Sequence, residues 1–303
     1  MDYRFATADV FTDRPFGGNQ LAVIPDATGL DDAQMLSIAR EFNYSESVFV
    51  LPPADPSNTR RLRIFTPGEE IPFAGHPTVG AAFVLASLGE IALEGAETRI
   101  IFEEKIGPVP VLIRAVDGKP VFSQLSVAKL PEIGPPPPSR NVLAEILSLQ
   151  PNDFLGGTTA AQGVSCGLPF LLVPLRDRET VTRARVRMDR FEETVAHYWA
   201  PNVMVFSRDA EGEGVDVHAR VFVPELAVPE DPATGSAAAA LGGYLAARES
   251  YADGTRRWVI EQGIEMGRPS RLEVEADKAG GKVSAVRVGG SSVMISRGTI
   301  SVP

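Results

Sequence analysis

The chain has 303 residues, 44% of them hydrophobic and 22% charged, with a formal net charge of −10. That length and balance suit a folded protein of two domains of roughly 100–150 residues each. The negative charge excludes a general nucleic-acid binder, which presents a basic stripe.

The single cysteine, Cys166, cannot form an intrachain disulfide, and no Cys/His cluster has metal-ligand spacing. The amino terminus, Met1-Asp2-Tyr3-Arg4, lacks an apolar signal core. The longest apolar runs, around Leu168–Leu175 and Ala237–Ala247, are shorter than the ~18–20 residues that span a bilayer. A soluble, cytoplasmic protein with no membrane or nucleic-acid partner is expected.

In chain order, strand patterns fall at Tyr3–Val10, Ser47–Leu51, Leu62–Phe65, Arg99–Glu103, Val109–Val116, Val121–Leu125, Phe170–Leu175, Val203–Phe206, Val215–Val223, Trp258–Glu261 and Arg271–Glu275, then in pieces over Ala285–Val302. In one of them Val215, Val217, Ala219 and Val221 share a face and Asp216, His218 and Arg220 the other, the period of a half-buried antiparallel strand. Helices are expected at Asp31–Phe42, Pro77–Leu88, Ser139–Leu149 with Ser139 as N-cap, Asp189–Ala196 and Ser236–Arg248. Many strands with few helices point to an α+β fold. The four-proline run in Leu130–Pro138 cannot join a sheet interior. It divides the chain into domains 1–130 and 131–303, with the last strands able to pack back on the first domain.

Each half carries one copy of a short pattern. Phe65-Thr66-Pro67 precedes Gly75-His76-Pro77-Thr78-Val79-Gly80-Ala81-Ala82, and Phe222-Val223-Pro224 precedes Asp231-Pro232-Ala233-Thr234-Gly235-Ser236-Ala237-Ala238. Matching Thr78 to Thr234 sets Gly75 opposite Asp231 and offsets the two Phe-x-Pro segments by one residue. In both copies an extended segment crosses a loop rich in small residues and enters a helix that is apolar nearly all round. Such helices must be enclosed, so a sheet wrapped around each is expected. Their first N–H groups are free to face an anion.

Three residues near these features could carry acid–base chemistry. Glu46 stands where a helix ends and the apolar strand Val48-Phe49-Val50 begins; partial desolvation would raise its pKa toward the useful range, while a solvent-facing loop glutamate is the plainer reading. His76 lies between Gly75, which permits close approach, and Pro77, which suits the first helical position. It can donate to an anion or exchange a proton with it, or be merely structural. Asp231 precedes Pro232, a common turn arrangement, and Thr234-Gly235-Ser236 offers consecutive N–H donors and two hydroxyls. Gln262-Gly263 with Met266–Ser270 reads as a strand-to-strand turn. Asn19, in Phe16-Gly17-Gly18-Asn19, reads either as a turn residue or as an amide that orients a ligand.

Taken together, Phe16–Val23, Ser45-Glu46-Ser47, Phe65-Thr66-Pro67, Pro72–Thr78, Glu230–Ala237 and Gln262-Gly263 with Met266–Ser270 resemble the PhzF family, the phenazine-biosynthesis isomerases and their relatives, which share the diaminopimelate epimerase fold. The blocks run in family order over nearly the whole chain. The resemblance implies two similar domains, each a mixed sheet curled around a central helix, with the active site in the cleft between them, a homodimer and no cofactor. In the phenazine enzyme the substrate is trans-2,3-dihydro-3-hydroxyanthranilate. There the residue matching Glu46 moves a proton between ring carbons, those matching His76 and Asp231 assist, and backbone around Gly75, Gly235 and Ser236 holds the substrate. Ser45, Asn19 and Thr234 belong to the same expected substrate-binding set.

The epimerase branch of the superfamily uses two opposed cysteines, matched here to Gly75 and Asp231, and a chain with one thiol cannot use that chemistry. The expected function is therefore a cofactor-independent isomerase acting on a small anionic carboxylate. An epimerase without the cysteine pair and a non-catalytic binder of the same fold stand as alternatives.

Overall fold

The computed structural model describes residues 1–224 and 228–303. They form two compact units, Met1–Ala128 with Arg287–Pro303, and Lys129–Val286. The carboxy-terminal strands thus belong to the first unit, and the four-proline run lies inside the second.

The first unit contains β1 (Asp2–Val10), β2 (Asn19–Ile24), α1 (Asp32–Phe42), β3 (Glu46–Leu51), β4 (Arg60–Phe65), β5 (Glu70–Ile71), α2 (Gly75–Ser87), β6 (Glu97–Glu104), β7 (Gly107–Val116) and β8 (Lys119–Ser126). The second contains β9 (Glu132–Ile133), α3 (Arg140–Leu147), β10 (Gln162–Ser165), β11 (Pro169–Pro174), α4 (Arg178–Arg183), α5 (Met188–Glu193), β12 (Asn202–Ser207), β13 (Val217–Val223), β14 (Val228–Asp231), α6 (Gly235–Arg248), β15 (Gly254–Gln262) and β16 (Ser270–Ala279). Strand β17 (Lys282–Gly290) leads back to the first unit, which β18 (Ser292–Ser301) completes by pairing with β1.

Both sheets are mixed and follow one plan. In the first, β1 and β2 pair antiparallel, β2 and β3 parallel, β3 and β4 antiparallel, β4 and β6 parallel, and β6 and β7 antiparallel. In the second, the same alternation runs through β10, β11, β12, β13, β15 and β16. Within each plan sits one helix with no exposed face over most of its length. Gly75–Ala86 of α2 and Gly235–Ala246 of α6 are buried at every position, as their unbroken apolar sequences require. The other helices lie outside with one apolar stripe. Met35, Ile38 and Ala39 of α1 pack on Ile24, Phe49 and Phe65. Residues of α3, α4 and α5 pack with Leu171, Val173, Val203 and Val205.

Three expectations need correction. Asn19 is the first residue of β2 and not a turn residue. Helix α2 starts at Gly75, so Pro77 takes the third helical position, where its missing N–H still costs no intrahelical bond. Strand β13 is buried on both faces. Its polar side is covered because His218 and Arg220 are satisfied by buried partners. Arg220 pairs with Glu230 through two bonds of 2.8 Å and donates to the carbonyls of Val181, Thr182 and Ala184 at the end of α4.

The register of the internal repeat also changes. The helix starts match Gly75 to Gly235 and Pro72 to Pro232, not Gly75 to Asp231. Strand pairing agrees, since Phe65 faces Ser47 as Phe222 faces Val203, and Ile64 faces Ile71 as Val221 faces Asp231. Side chains repeat in the same register. Arg63 binds Glu70 through two nitrogens and lies over Phe65 at 5.1 Å; Arg220 binds Glu230 and lies over Phe222 at 4.9 Å. A threonine present in both copies at non-equivalent positions, Thr78 and Thr234, masks this register. The pattern Arg-x-Phe-x-Pro followed by Glu-x-Pro-x-x-Gly was readable in both copies, separated by hairpins of different length.

Candidate active site

In the first unit the parallel pairing of β2 and β3 sets Leu21 opposite Glu46, and α2 packs on these strands from its first turns. This convergence gathers three of the expected residues. The Glu46 carboxylate, 12% exposed, approaches Nδ1 of His76 at 3.4 Å. The Asn19 side-chain amide lies 3.2 Å from the same nitrogen. The Asn19 amide can pair with Nδ1 in either tautomer of a neutral ring, through its nitrogen or through its oxygen. Burial pushes the His76 pKa down to about 3, and contact with the Gln20 backbone opposes this only in part. The imidazole is therefore neutral near pH 7. Its Nε2 is buried and has no hydrogen-bond partner among the described residues.

The loop before Asn19 is held in one shape. Asp9 accepts a bond from the Phe16 N–H at 2.7 Å. Gly18 adopts φ +61°, and a Cβ there would stand 2.3 Å from the Val10 carbonyl oxygen, so only glycine fits this turn. Ser45 immediately precedes Glu46 and is partly buried.

In the second unit Asp231 ends β14 and lies 5% exposed. Its Oδ2 accepts a 2.5 Å bond from the Thr234 hydroxyl. The Thr234 N–H donates to Oε1 of Gln262, and Nε2 of Gln262 donates to the Asp231 carbonyl and to the Thr234 hydroxyl. Gln262 is fully buried. The segment after it is a brace for the Asp231–Ser236 loop as well as a turn. Ser270 donates to the Pro232 carbonyl at 2.8 Å. At Gly263, with φ +76°, a Cβ would lie 2.6 Å from that same oxygen. Sequence reading missed the part played by Gln262 because a buried glutamine after a strand carries no local mark of what it braces.

The two central helices share one further property. Helices α1, α3 and α4 start with a side chain that accepts from the first turn, namely Asp31, Ser139 and Asp177. Helices α2 and α6, like the short α5, have no such cap. Ala74 has no polar side chain, and the Thr234 hydroxyl is engaged by Asp231. Both starts thus keep first-turn N–H groups without a side-chain acceptor, each on a buried helix whose dipole favours negative charge there.

The remaining titratable residues do not join these groups. Cys166 is buried, and burial pushes its thiol up to about 12, so it stays protonated. His197 is exposed in a 3-10 turn. His218 is held between Glu261 and Glu265, at 2.9 Å from each. Burial works against its charge, but Glu265 and then Glu261 outweigh it and raise its pKa, while His218 helps hold Glu265 down at about 2 despite burial. This is a buried ion pair cluster tying β13 to the turn after β15.

The family described as phenazine biosynthesis-like protein, PhzC-PhzF, matches residues 8–298. This chain belongs to the PhzF family. It is 40% identical over 297 residues to an uncharacterised isomerase of Mesorhizobium japonicum, covering 97% of each chain. It is 33% identical over 303 residues to the trans-2,3-dihydro-3-hydroxyanthranilate isomerase of Pseudomonas aeruginosa, covering 98% of each. A PhzF-family protein of Bacillus anthracis superposes with a TM-score of 0.89 at 26% identity over the full length of both. Membership of the PhzF family makes the chain an enzyme of isomerase type with the mixed two-part fold described above. No helix among the described residues is long and apolar enough to cross a membrane.

Proposed function

We propose that this protein is a cofactor-independent isomerase that moves a proton between carbons of a small carboxylate-bearing substrate, with Glu46 as the general acid–base. The observation that carries this reading is the contact between Glu46 and a neutral, buried His76 at an uncapped helix start. A carboxylate can take a proton from an acidified carbon and return it elsewhere. A neutral imidazole can donate its proton to a substrate oxygen as charge develops there.

Asn19 fixes the ring by occupying Nδ1. Ser45 and the Gly75 backbone contact the substrate beside that pair. In the second unit, the N–H groups of Gly235 and Ser236 at the start of α6 suit a carboxylate, and Asp231, oriented by Thr234, suits a polar substituent. The compound named for the Pseudomonas aeruginosa relative, trans-2,3-dihydro-3-hydroxyanthranilate, has the required carboxylate and polar substituents, and it is the probe of choice.

The test is conversion of that compound by the wild type and by Glu46→Gln. The variant is expected to be slower by about 10²–10⁴-fold, the scale of a positioned acid–base group. Full activity in the variant would remove Glu46 from the mechanism, and no conversion by the wild type would remove this substrate.

A further inference from the structure

The corrected register of the repeat sets a second acid of the first unit against an amide of the second. Arg60 pairs with Phe102 and Arg61 with Glu103 between β4 and β6, as Val217 pairs with Ile260 and His218 with Glu261 between β13 and β15. The next residue of each strand is Glu104 in one unit and Gln262 in the other. Both are buried, and both reach the segment that starts the central helix. Gln262 does this as a neutral group that donates through one atom and accepts through the other.

Glu104 meets Thr78, in the first turn of α2. The Thr78 hydroxyl lies 2.8 Å from the Ala74 carbonyl and 2.7 Å from Oε1 of Glu104. A hydroxyl has one proton, and a carbonyl can only accept. If that proton serves Ala74, the second contact needs a proton from Glu104. A carboxylic acid therefore lets both contacts of the hydroxyl hold at once, whereas a carboxylate takes the Thr78 proton and leaves the Ala74 carbonyl only the 3.4 Å helical bond from the Thr78 N–H. Oε2 of Glu104 is buried with no partner among the described residues, an arrangement that is costly for an anion and tolerable for a neutral acid.

We propose that Glu104 works as a neutral carboxylic acid, the counterpart in this unit of the Gln262 amide, and that its proton positions the start of α2 and with it Gly75 and His76. Its role as a positioning residue rests on the reading of His76 as part of the active site; its protonation does not. Among the described residues no cation acts on Glu104. The strand neighbours Glu103 and Lys105 engage Arg61 and Glu70, Arg60 reaches the carbonyls of Thr59 and Glu90, and His76 is the only titratable residue of α2. Burial pushes the Glu104 pKa up to about 8, with the Thr78 bond opposing only in part. Ionisation at alkaline pH then turns the Thr78 hydroxyl proton from Ala74 to Glu104 and leaves a charge beneath the helix that carries His76.

Glu104→Gln, which installs the amide already used by the other unit, tests this without substrate. Urea unfolding of the wild type and the variant is compared from pH 5 to pH 9. Glu104 has a folded pKa above its unfolded one, so the folded wild type holds a proton that its unfolded chain releases. Its folding constant relative to the variant should fall about tenfold per pH unit and level off above about pH 8. A ratio independent of pH overturns the protonation. If the variant folds poorly, ¹³C-carboxyl spectra of the wild type labelled at glutamate decide the matter: one glutamate signal should keep the protonated shift at pH 7, and titration of every signal well below pH 7 overturns the proposal. For the positioning role, the His76 ring signals should shift near pH 8 in the wild type and stay fixed in the variant. His76 signals that stay fixed in both would leave Glu104 a protonated core residue and overturn its link to the site.

Discussion

The two units place acids and amides at the same two points of one plan. Glu46, first in β3, corresponds through the strand register to Asn202, first in β12, and Glu104 corresponds to Gln262. The plan needs a hydrogen-bonding side chain at both points in both units. Only the first unit uses side chains that can also carry a proton. Within that unit, access separates the two acids. Glu46 retains some exposure and faces an imidazole. Glu104 is closed off under α2. One acid is open to its surroundings beside an imidazole, and the other is sealed in the core.

The histidines differ in the same way. Burial lowers the His76 pKa against its contacts; at His218 burial also opposes the charge, but Glu265 and Glu261 outweigh it and raise the pKa. The second ring ties β13 to the turn after β15.

Changes that exchange these characters should sort cleanly. The largest effect on turnover is that of Glu46→Gln, given above. The largest effect on stability is expected for His218→Ala, which leaves Glu261 and Glu265 buried without their cation. Chemical denaturation should register a loss of about 3–5 kcal/mol. Gln262→Ala strands the Thr234 N–H and the Asp231 carbonyl and should cost about 1–3 kcal/mol by the same assay. Removing the His76 ring by His76→Gln should instead act mainly on turnover, and on stability only through pH. The folded pKa of His76 lies below its unfolded value of 6.5. Its contribution is therefore complete above about pH 6.5 and lost as pH falls toward 3, by about 1.4 kcal/mol per pH unit. The variant should lack that part of the acid limb. His218, raised instead, contributes below its unfolded pKa and loses that contribution as pH rises through the folded one, so His218→Ala should flatten the opposite limb.

Much of this arrangement was legible in the sequence, for identifiable reasons. Helices α1 and α3 carry their caps, Asp31 and Ser139, in plain view. The all-round apolar stretches of α2 and α6 have no stable place except inside a sheet. Glu46 could be singled out because it sits at the junction of a polar loop and an apolar strand, and His76 because it follows a glycine at a helix start.

Other features were hidden. Alternation along β13 indicated one wet face, but Arg220 and His218 are polar residues with buried partners distant in sequence, Glu230 among the nearest and Glu265 far beyond. The register of the repeat depended on a hairpin of unequal length, which local matching of Thr78 to Thr234 could not allow for. Glu104 and Gln262 each end a strand behind another polar residue, where a polar side chain ordinarily meets solvent. Only the pairing of β4 with β6 and of β13 with β15 brings them under the central helices.

Proton transfer by Glu46 can be followed by running the probe substrate in heavy water with the wild type and with Glu46→Gln side by side, reading product formation and deuterium at the newly protonated carbon by NMR. The wild type should form product with deuterium there, and both conversion and labelling in the variant should fall by at least about a hundredfold. Equal rates of conversion and labelling in the two proteins would contradict transfer by Glu46.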